Sequence, residues 1–331
     1  MTHALVWVVG EGGLLGSHVR RLLLEEMPGC SPWLCPEPRL PWDRTALIES
    51  ALNRELGAFL AAARAGFDAW AILWCAGAGV IQTAGAVLEA ESRTFERFLS
   101  SLGAQRAGTG RGMPGLVTLA SSAGGVYGGH AGGLLTEDSP CRPVAEYGRQ
   151  KLRQEGALRA WSDTTPDVGW LVGRFATLYG TGQNLAKPQG LISQMVRALL
   201  FRRPIQIYVP LDTQRDFLYV ADAARHLLRC AAHLLSARAP GRAVKIFATG
   251  RSVTLSEVVA LLRHISRQPV RILGAPSTQR GAHPAKLAFR SVALGEVELP
   301  PVTSLAAGVS TVYHHQLGLL QRGVLPPPFA A

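Results

Sequence analysis

The segment ALVWVVGEGGLLGS, residues 4–17, joins an apolar run to a glycine-rich turn and decides the fold. Its glycines follow a GxxGxxG pattern that begins directly after the apolar run. In a strand–turn–helix unit, one such glycine permits a tight turn, a second lets the backbone approach a pyrophosphate, and a third packs the helix on the sheet. The pattern predicts a dinucleotide-binding turn, with a turn that serves packing alone as the alternative. The residues expected to contact the dinucleotide are Gly10, Gly13, Leu14, Leu15 and Gly16.

The apolar runs of the first half predict an α/β fold. Runs that are apolar throughout alternate with segments of helical periodicity, which is typical of a parallel sheet covered on both faces. The expected strands are residues 4–9, 32–35, 69–75, 116–120 and 169–172, and the expected helices are 17–26, 45–65, 87–102 and 147–163. The glycine-rich stretch 103–115 is expected to be an exposed loop. This order predicts a Rossmann-like, doubly wound parallel sheet.

The pattern becomes less regular after Arg174, which indicates a second, smaller and mixed C-terminal substrate lobe. Its expected helices are residues 191–200, 221–235, 255–265 and 304–317, with short strands at 205–209 and 244–247. We therefore expect an NAD(P)-binding domain over residues 1–180 and a substrate-binding lobe over residues 181–331. Segments around residues 216–250 are candidates to return to the first sheet.

Composition excludes several classes of protein. The 331 residues carry a formal net charge of +11, but the basic residues are mostly arginines spread along the chain. This distribution fits an anionic small ligand better than a nucleic acid, which is not expected as a partner. No apolar stretch is long enough for a membrane span, and no signal peptide is recognisable. The scattered cysteines predict neither a disulfide framework nor a metal site and fit a cytoplasmic protein; they are Cys30, Cys35, Cys75, Cys141 and Cys230.

Tyr147 and Lys151 place a phenol and an ammonium four residues apart, on one face of a predicted helix. An ammonium beside a phenol favours the phenolate, which can take a proton from a hydroxyl and return it. A surface pair without chemistry is the alternative. A hydroxyl partner is expected at the end of the strand before this helix, where Ser121 and Ser122 are the candidates.

At this point the sequence resembles the extended short-chain dehydrogenase/reductases, in particular the sugar-nucleotide epimerase/dehydratase family. The resemblance spans nearly the whole chain. The stretch 136–151 resembles the family's TED…P…YgxsK, residues 174–183 its RxxNxYGPGQ, and residues 303–308 its closing TSLEEGL helix. Residues 215–223, RDFLYVADA, are close to RDFIYVxDVA and form the most specific match.

The resemblance implies roles for the candidate residues. Tyr147 would be the acid/base, Lys151 would stabilise its phenolate and bind the nicotinamide ribose, and Ser122 would steady the reacting oxygen. Ser122 stands 25 residues before the tyrosine, as in the family, while a gapless match would instead put Ala123 at that place. The backbone at Ala76 and Gly77 corresponds to the family's HxAA segment, so these residues are further expected cofactor contacts.

The substrate contacts implied by the resemblance are Arg215 and Thr177. Arg215 would pair with the substrate diphosphate, since a guanidinium fork suits two phosphate oxygens. A structural pair of Arg215 with Asp216 or Asp222 is the alternative. Thr177 stands where the family has asparagine, so the usual contact with the substrate phosphate is changed at this position.

Cofactor choice and reaction remain open at the sequence level. No acid ends the second predicted strand; Arg39 would suit the 2′-phosphate of NADP, whereas Glu37 would suit the ribose of NAD. Ala123 and Gly124 replace the acidic pair of the 4,6-dehydratases, which disfavours dehydration. The leading hypothesis is a nucleotide-sugar epimerase. The alternatives are an NADPH-dependent reductase of a keto-sugar or other carbonyl, and a cofactor-binding scaffold without activity; by resemblance, a homodimer is an option.

Overall fold

The computed structural model describes most of the chain. The described residues are 3–27, 29–35, 40–42, 44–107, 112–187, 189–207, 209–237, 239–274 and 286–328. The cofactor contacts expected of Arg39 and Glu37 lie outside these residues. Among the described residues, no helix combines the length and the apolar character that crossing a bilayer requires.

Strands and helices alternate over the first half of the described chain, whereas the later strands follow one another in pairs. The strands are β1 Ala4–Val9, β2 Cys30–Pro32, β3 Ala69–Trp74, β4 Gly115–Ser122, β5 Leu134–Leu135, β6 Val168–Phe175, β7 Thr177–Tyr179, β8 Ile205–Ile207, β9 Gln214–Tyr219, β10 Arg242–Phe247, β11 Ser252–Thr254, β12 Ile272–Gly274 and β13 Ala288–Phe289. The helices are α1 Leu14–Glu26, α2 Thr45–Gly66, α3 Gly85–Ala107, α4 Ala123–Val126, α5 Glu146–Thr164, α6 Leu191–Leu200, α7 Val220–Ser236, α8 Leu255–Ser266 and α9 Leu305–Gln321. A 3₁₀ turn covers Gly295–Val297.

The main sheet confirms the predicted Rossmann-like fold. Its strand order is β10-β6-β4-β3-β1-β2, and every neighbouring pair is parallel. The order reverses between β1 and β3, so the carboxyl ends of these strands frame the crevice in which such sheets bind ligands. A smaller mixed sheet has the order β11-β9-β7.

The continuous apolar character of β1 follows from helices on both faces of the sheet. Every residue of β1 is buried. Trp7 lies in one core with side chains of α2, α3 and α5, while Val8 lies in another core with side chains of α1 and α7. Because successive side chains of a strand point to opposite faces, both sets must be apolar.

The predicted loop over residues 103–115 is wrong at both ends. Helix α3 continues through Ala107, and β4 already begins at Gly115. The glycines at these ends make room for tryptophans instead of forming turns. A Cβ built on Gly103 would lie 3.2 Å from the indole nitrogen of Trp161, and one on Gly115 would overlap the ring of Trp70.

The second strand also differs from its prediction. Residues Cys30 to Pro32 pair with β1. The observed strand therefore ends at Pro32, the residue at which the predicted strand 32–35 begins. Gly29, at φ +101°, turns the chain immediately before Cys30 and sets this earlier start.

The later chain contributes to the main sheet. Strand β10 pairs with β6 at the sheet edge, and helix α7 packs against α1. Helix α7 and strand β10 therefore accompany the first sheet in space. The division into a domain of residues 1–180 and a lobe of residues 181–331 stays a prediction.

Candidate functional site

The glycine turn after β1 is shaped by close backbone contacts. Gly10 adopts φ +91°, and a Cβ on it would lie 2.6 Å from the amide nitrogen of Ala76. A Cβ on Gly16 would lie 2.3 Å from the carbonyl oxygen of Gly10. Side chains at these positions would therefore push the turn away from both β3 and α1.

The first turn of α1 is open to an anionic group. Its N-cap residue, Gly13, contributes no side-chain hydrogen bond, and no acidic residue lies in the first turn. Gly12 and Gly13 are exposed, while Leu15 and Gly16 are buried beneath them. A helix N-terminus of this kind presents unpaired N–H groups and a partial positive charge to a phosphate.

Ser122 lies at the carboxyl end of β4, at the same edge of the sheet as the glycine turn that follows β1. Its Oγ accepts a hydrogen bond from the amide of Gly125 at 3.1 Å and so caps α4. Ser121 points to the opposite side, where its hydroxyl donates to the buried carboxylate of Glu155 at 2.6 Å. Ser122 is half-buried at the site, and Ser121 belongs to the packing beneath it.

Tyr147 is brought to Ser122 by two glycines that let α4 and α5 touch. A Cβ on Gly148 would lie 2.1 Å from the carbonyl oxygen of Gly125. A Cβ on Gly125 would lie 3.0 Å from Cε1 of Tyr147, so the phenol ring packs on this glycine. The amide of Gly125 also donates a hydrogen bond to Ser122, so the side chains of Ser122 and Tyr147 both lie against Gly125.

Lys151 lies one turn along α5 from the phenol and is only 7% exposed. Its Nζ lies 5.9 Å from the centroid of the Tyr147 ring and donates to the carbonyl of Ala120 at 3.3 Å and to the side chain of Gln154 at 3.2 Å. A Cβ built on Gly77 would lie 3.5 Å from the same Nζ. The ammonium thus lies between the end of β4, the backbone at Gly77 and the tyrosine ring.

A buried ion pair supports this arrangement from below. Nη2 of Arg174 donates to Oε2 of Glu155 at 2.6 Å, and both side chains are almost fully buried. Burial by itself lowers the pKa of Arg174, but the carboxylate of Glu155 raises it well above its ordinary value. Arg174 also donates to the hydroxyl of Tyr127 at 2.5 Å. The sequence motif around Arg174 indicated a family likeness, whereas the buried partner Glu155 gave no signal in the pattern.

The two expected substrate residues share one small sheet. Thr177, exposed at the start of β7, pairs with Phe217 of β9, which stands two residues from Arg215. Thr177 and Arg215 therefore lie on the same face of that sheet. Nη1 of Arg215 donates to the carbonyl of Gln214 at 2.8 Å, and burial lowers the pKa of Arg215.

The carboxylates considered as structural partners of Arg215 have their own hydrogen bonds. Asp216 accepts from the amides of Thr249 and Gly250, each at 2.9 Å. Asp222 accepts from the amide of Thr303 at 2.8 Å. These bonds join β9 and α7 to later loops.

Glu91 is a site residue that the sequence pattern did not single out. Its Oε1 accepts a hydrogen bond from the amide of Ala78 at 2.8 Å, directly after Gly77. A glutamate in a helix with many charged residues carries no distinguishing signal. Only the folded chain places it beside the end of β3.

The fold and the site together define a dinucleotide-binding protein with a serine, a tyrosine and a lysine at the carboxyl edge of its sheet. The profile of the NAD dependent epimerase/dehydratase family matches residues 6–246. The chain belongs to this family.

Individual proteins are similar over shorter stretches. A putative UDP-glucose 4-epimerase of Methanocaldococcus jannaschii is 26% identical over 148 residues, which cover 45% of this chain and 46% of that protein. The chain spans about half the length, or less, of the curated relatives that it matches.

Solved structures share the fold over nearly the whole chain. MoeE5 in complex with UDP-glucuronic acid and NAD superposes with a TM-score of 0.75 at 23% identity, covering 96% of this chain and 99% of that one. UDP-glucose 4-epimerase of Thermotoga maritima with UDP-glucose gives a TM-score of 0.74 at 18% identity, covering 96% and 99%. At these identities the likeness establishes the fold.

Proposed function

We propose that the chain is an NAD(P)-dependent enzyme that acts on a nucleotide sugar, with epimerisation as its reaction. The observation that carries the proposal is the convergence of Ser122, Tyr147 and Lys151 at the carboxyl edge of the sheet. Tyr147 and Lys151 lie on α5 and Ser122 ends β4, and contacts at Gly125 and at the end of β4 bring the two elements together.

The residues around the glycine turn fit a dinucleotide. The phosphates would be held by the backbone of Gly10, Gly13, Leu14, Leu15 and Gly16. The fit rests on the space that a Cβ would fill at Gly10 and Gly16, and on the uncapped first turn of α1. Ala76, Gly77, Tyr147 and Lys151 would hold the nicotinamide end. When bound, the nicotinamide supplies an acceptor and donor of hydride.

The proton chemistry belongs to the chain's own side chains. The phenol oxygen of Tyr147 takes the proton of a sugar hydroxyl and returns it. The ammonium of Lys151 stabilises the phenolate electrostatically, and the hydroxyl of Ser122 donates a hydrogen bond to the reacting oxygen. Lys151 is buried and Ser122 and Tyr147 are half-buried, which strengthens these interactions relative to water.

The substrate class follows from Arg215 and from the names of similar proteins. The guanidinium of Arg215, on the same sheet face as Thr177, would bind a diphosphate through two oxygens. Similar proteins are named for UDP-glucose or solved with UDP-glucuronic acid. We also propose that residues 181–331 supply most of the substrate contacts and residues 1–180 the cofactor contacts.

Turnover of candidate sugars tests the proposal. The purified protein, supplied with NAD, is incubated with UDP-glucose, UDP-galactose and UDP-glucuronic acid, and the sugars are followed by proton NMR. Inversion at one carbon without net consumption of NAD supports an epimerase. In a parallel assay with NADPH and a 4-keto sugar, stoichiometric consumption of NADPH, together with no inversion in the first assay, would show the reductase instead.

A further inference from the structure

Glu91 places a carboxylate near the ammonium of Lys151, above Gly77. Because a glycine has no side chain, the space between the two groups is open. A Cβ built on Gly77 would lie 3.7 Å from Oε2 of Glu91 and 3.5 Å from Nζ of Lys151. Both charged groups therefore face the space above this glycine. Gly77 is exposed, so a bound molecule can reach that space.

Neither group is satisfied by the other. Among the described residues, Lys151 contacts the carbonyl of Ala120 and the side chain of Gln154 and forms no ion pair with Glu91. An ammonium has three N–H groups, and these contacts use two of them. Oε1 of Glu91 is held by the amide of Ala78, while Oε2, within the described part of the chain, accepts no hydrogen bond. A donor and an acceptor thus face one small space.

We propose that this space binds a hydroxyl of the ligand, which accepts a hydrogen bond from Lys151 and donates one to Glu91. A hydroxyl carries one donor and two acceptor lone pairs, so it can satisfy both groups at once. The inference rests on the proposed function, in which Lys151 holds the ribose at the nicotinamide end. The hydroxyl belongs to that ribose, and Glu91 is an additional binding residue for the cofactor.

A purely structural role of Glu91 has a different signature. In that case the carboxylate only anchors the loop after β3 through the amide of Ala78. Glu91→Gln keeps a carbonyl oxygen for that amide but turns an NH₂ donor toward the space, beside the ammonium of Lys151. Glu91→Ala removes both the anchor and the acceptor.

Calorimetry with ADP-ribose and ADP separates the two roles. ADP-ribose carries the second ribose, whereas ADP ends at the diphosphate. We expect Glu91→Gln to weaken ADP-ribose about ten-fold, the loss of one hydrogen bond to a charged group, and to leave ADP unchanged. Glu89→Gln is the matched control, because Glu89 lies on the same helix in an exposed ion pair with Arg93 at 3.0 Å. It should change neither affinity.

The outcomes separate this inference from the proposed function. Unchanged ADP-ribose affinity in Glu91→Gln overturns the inference. If Glu91→Ala nevertheless binds ADP-ribose weakly, the role of Glu91 is only to anchor the loop after β3. Equal weakening of ADP and ADP-ribose in Glu91→Gln overturns it as well. A wild-type protein that binds neither ligand overturns the proposed function, and the inference with it.

Discussion

At the scale of single residues, the proposed chemistry depends on the phenol oxygen of Tyr147. Tyr147→Phe removes that oxygen and keeps the ring that packs on Gly125. We expect turnover to fall by about 10²–10⁴-fold, the usual contribution of a general acid–base group, while NAD binding stays close to wild type. Steady-state kinetics and calorimetry measure the two effects. Tyr313→Phe, in the C-terminal helix α9, is the control, and retained turnover in Tyr147→Phe would refute the mechanism.

Arg215 is the residue that the proposal assigns to the substrate diphosphate. Arg215→Ala should raise KM for a UDP-sugar about ten-fold or more, because a charge-assisted pair with phosphate oxygens is lost. The affinity for NAD should not change, since Arg215 lies on the small β7–β9–β11 sheet. Kinetics with a UDP-sugar and calorimetry with NAD give the comparison. An unchanged KM would indicate a substrate without a diphosphate.

Individual residues differ in how far the sequence could identify them. The four-residue spacing of Tyr147 and Lys151 was sufficient to single out that pair. The 25-residue spacing to Tyr147 favoured Ser122 over Ser121 by resemblance, but the spacing does not tell which side of β4 each serine faces. Their different hydrogen bonds, to Glu155 and from Gly125, support Ser122 as the site residue. Glu91 required the folded chain, because its neighbour Gly77 is distant along the sequence.

At the scale of elements, the contact between α4 and α5 positions the tyrosine. A Cβ on Gly148 would lie 2.1 Å from the backbone oxygen of Gly125, so the helices must separate in Gly148→Ala. We expect the free energy of unfolding to fall by about 2–3 kcal/mol and kcat to fall with it, because the tyrosine moves away from Ser122. Urea denaturation and steady-state kinetics measure both.

Gly156→Ala is the matched control on the same helix. A Cβ on Gly156 meets no heavy atom within 4 Å, and the position is exposed. Alanine should therefore raise the free energy of unfolding by about 0.5–1 kcal/mol, as expected when glycine is replaced in a helix. Equal stability losses in both variants would show that the α4–α5 contact is not tight.

Helices and strands were predictable where one periodicity dominated. Helix α6 matches its predicted bounds at Leu191–Leu200, because most of its buried side chains are apolar and recur at helical spacing. The stretch 103–115 failed because glycine is read as a turn former, whereas Gly103 and Gly115 pack against tryptophans that are distant in sequence. Tertiary contacts of this kind leave no local pattern.

At the scale of the whole molecule, buried histidines should make stability depend on pH. Burial lowers the pKa of His226 from 6.5 to about 4, despite the opposing effect of Glu298. As pH falls from 6.5 toward 4, the unfolded chain binds a proton that the folded chain excludes, so the free energy of unfolding should decrease. Burial lowers the pKa of His18 in the same direction.

Urea denaturation across this pH range tests the assignment to His226. His226→Gln should make the free energy of unfolding fall less steeply with decreasing pH, because the unfolded chain then binds one proton fewer relative to the folded chain. His233→Gln is the control, since His233 lies on the same helix with a side chain that is 39% exposed. An equal slope in wild type and His226→Gln would assign the pH dependence to other groups.

The whole fold was more predictable than the cofactor. Six parallel strands with helices on both faces follow from the continuous apolar runs, and the observed sheet confirms that prediction. The choice between NAD and NADP depends on side chains after β2, including Arg39, which lie outside the described residues. The carboxyl end of β2 is also where the predicted strand bounds were wrong.

Identification of the nucleotide that accompanies the protein tests the central claim most directly. The chain is purified without added cofactor and denatured, and any released nucleotide is identified by mass spectrometry; protein without nucleotide is then titrated with NAD and NADPH. The proposal predicts NAD or NADH in near-stoichiometric amount, as an epimerase that recycles its cofactor would retain. An empty site that prefers NADPH would favour the reductase, and a protein that neither carries nor binds a nicotinamide dinucleotide would contradict the proposed function.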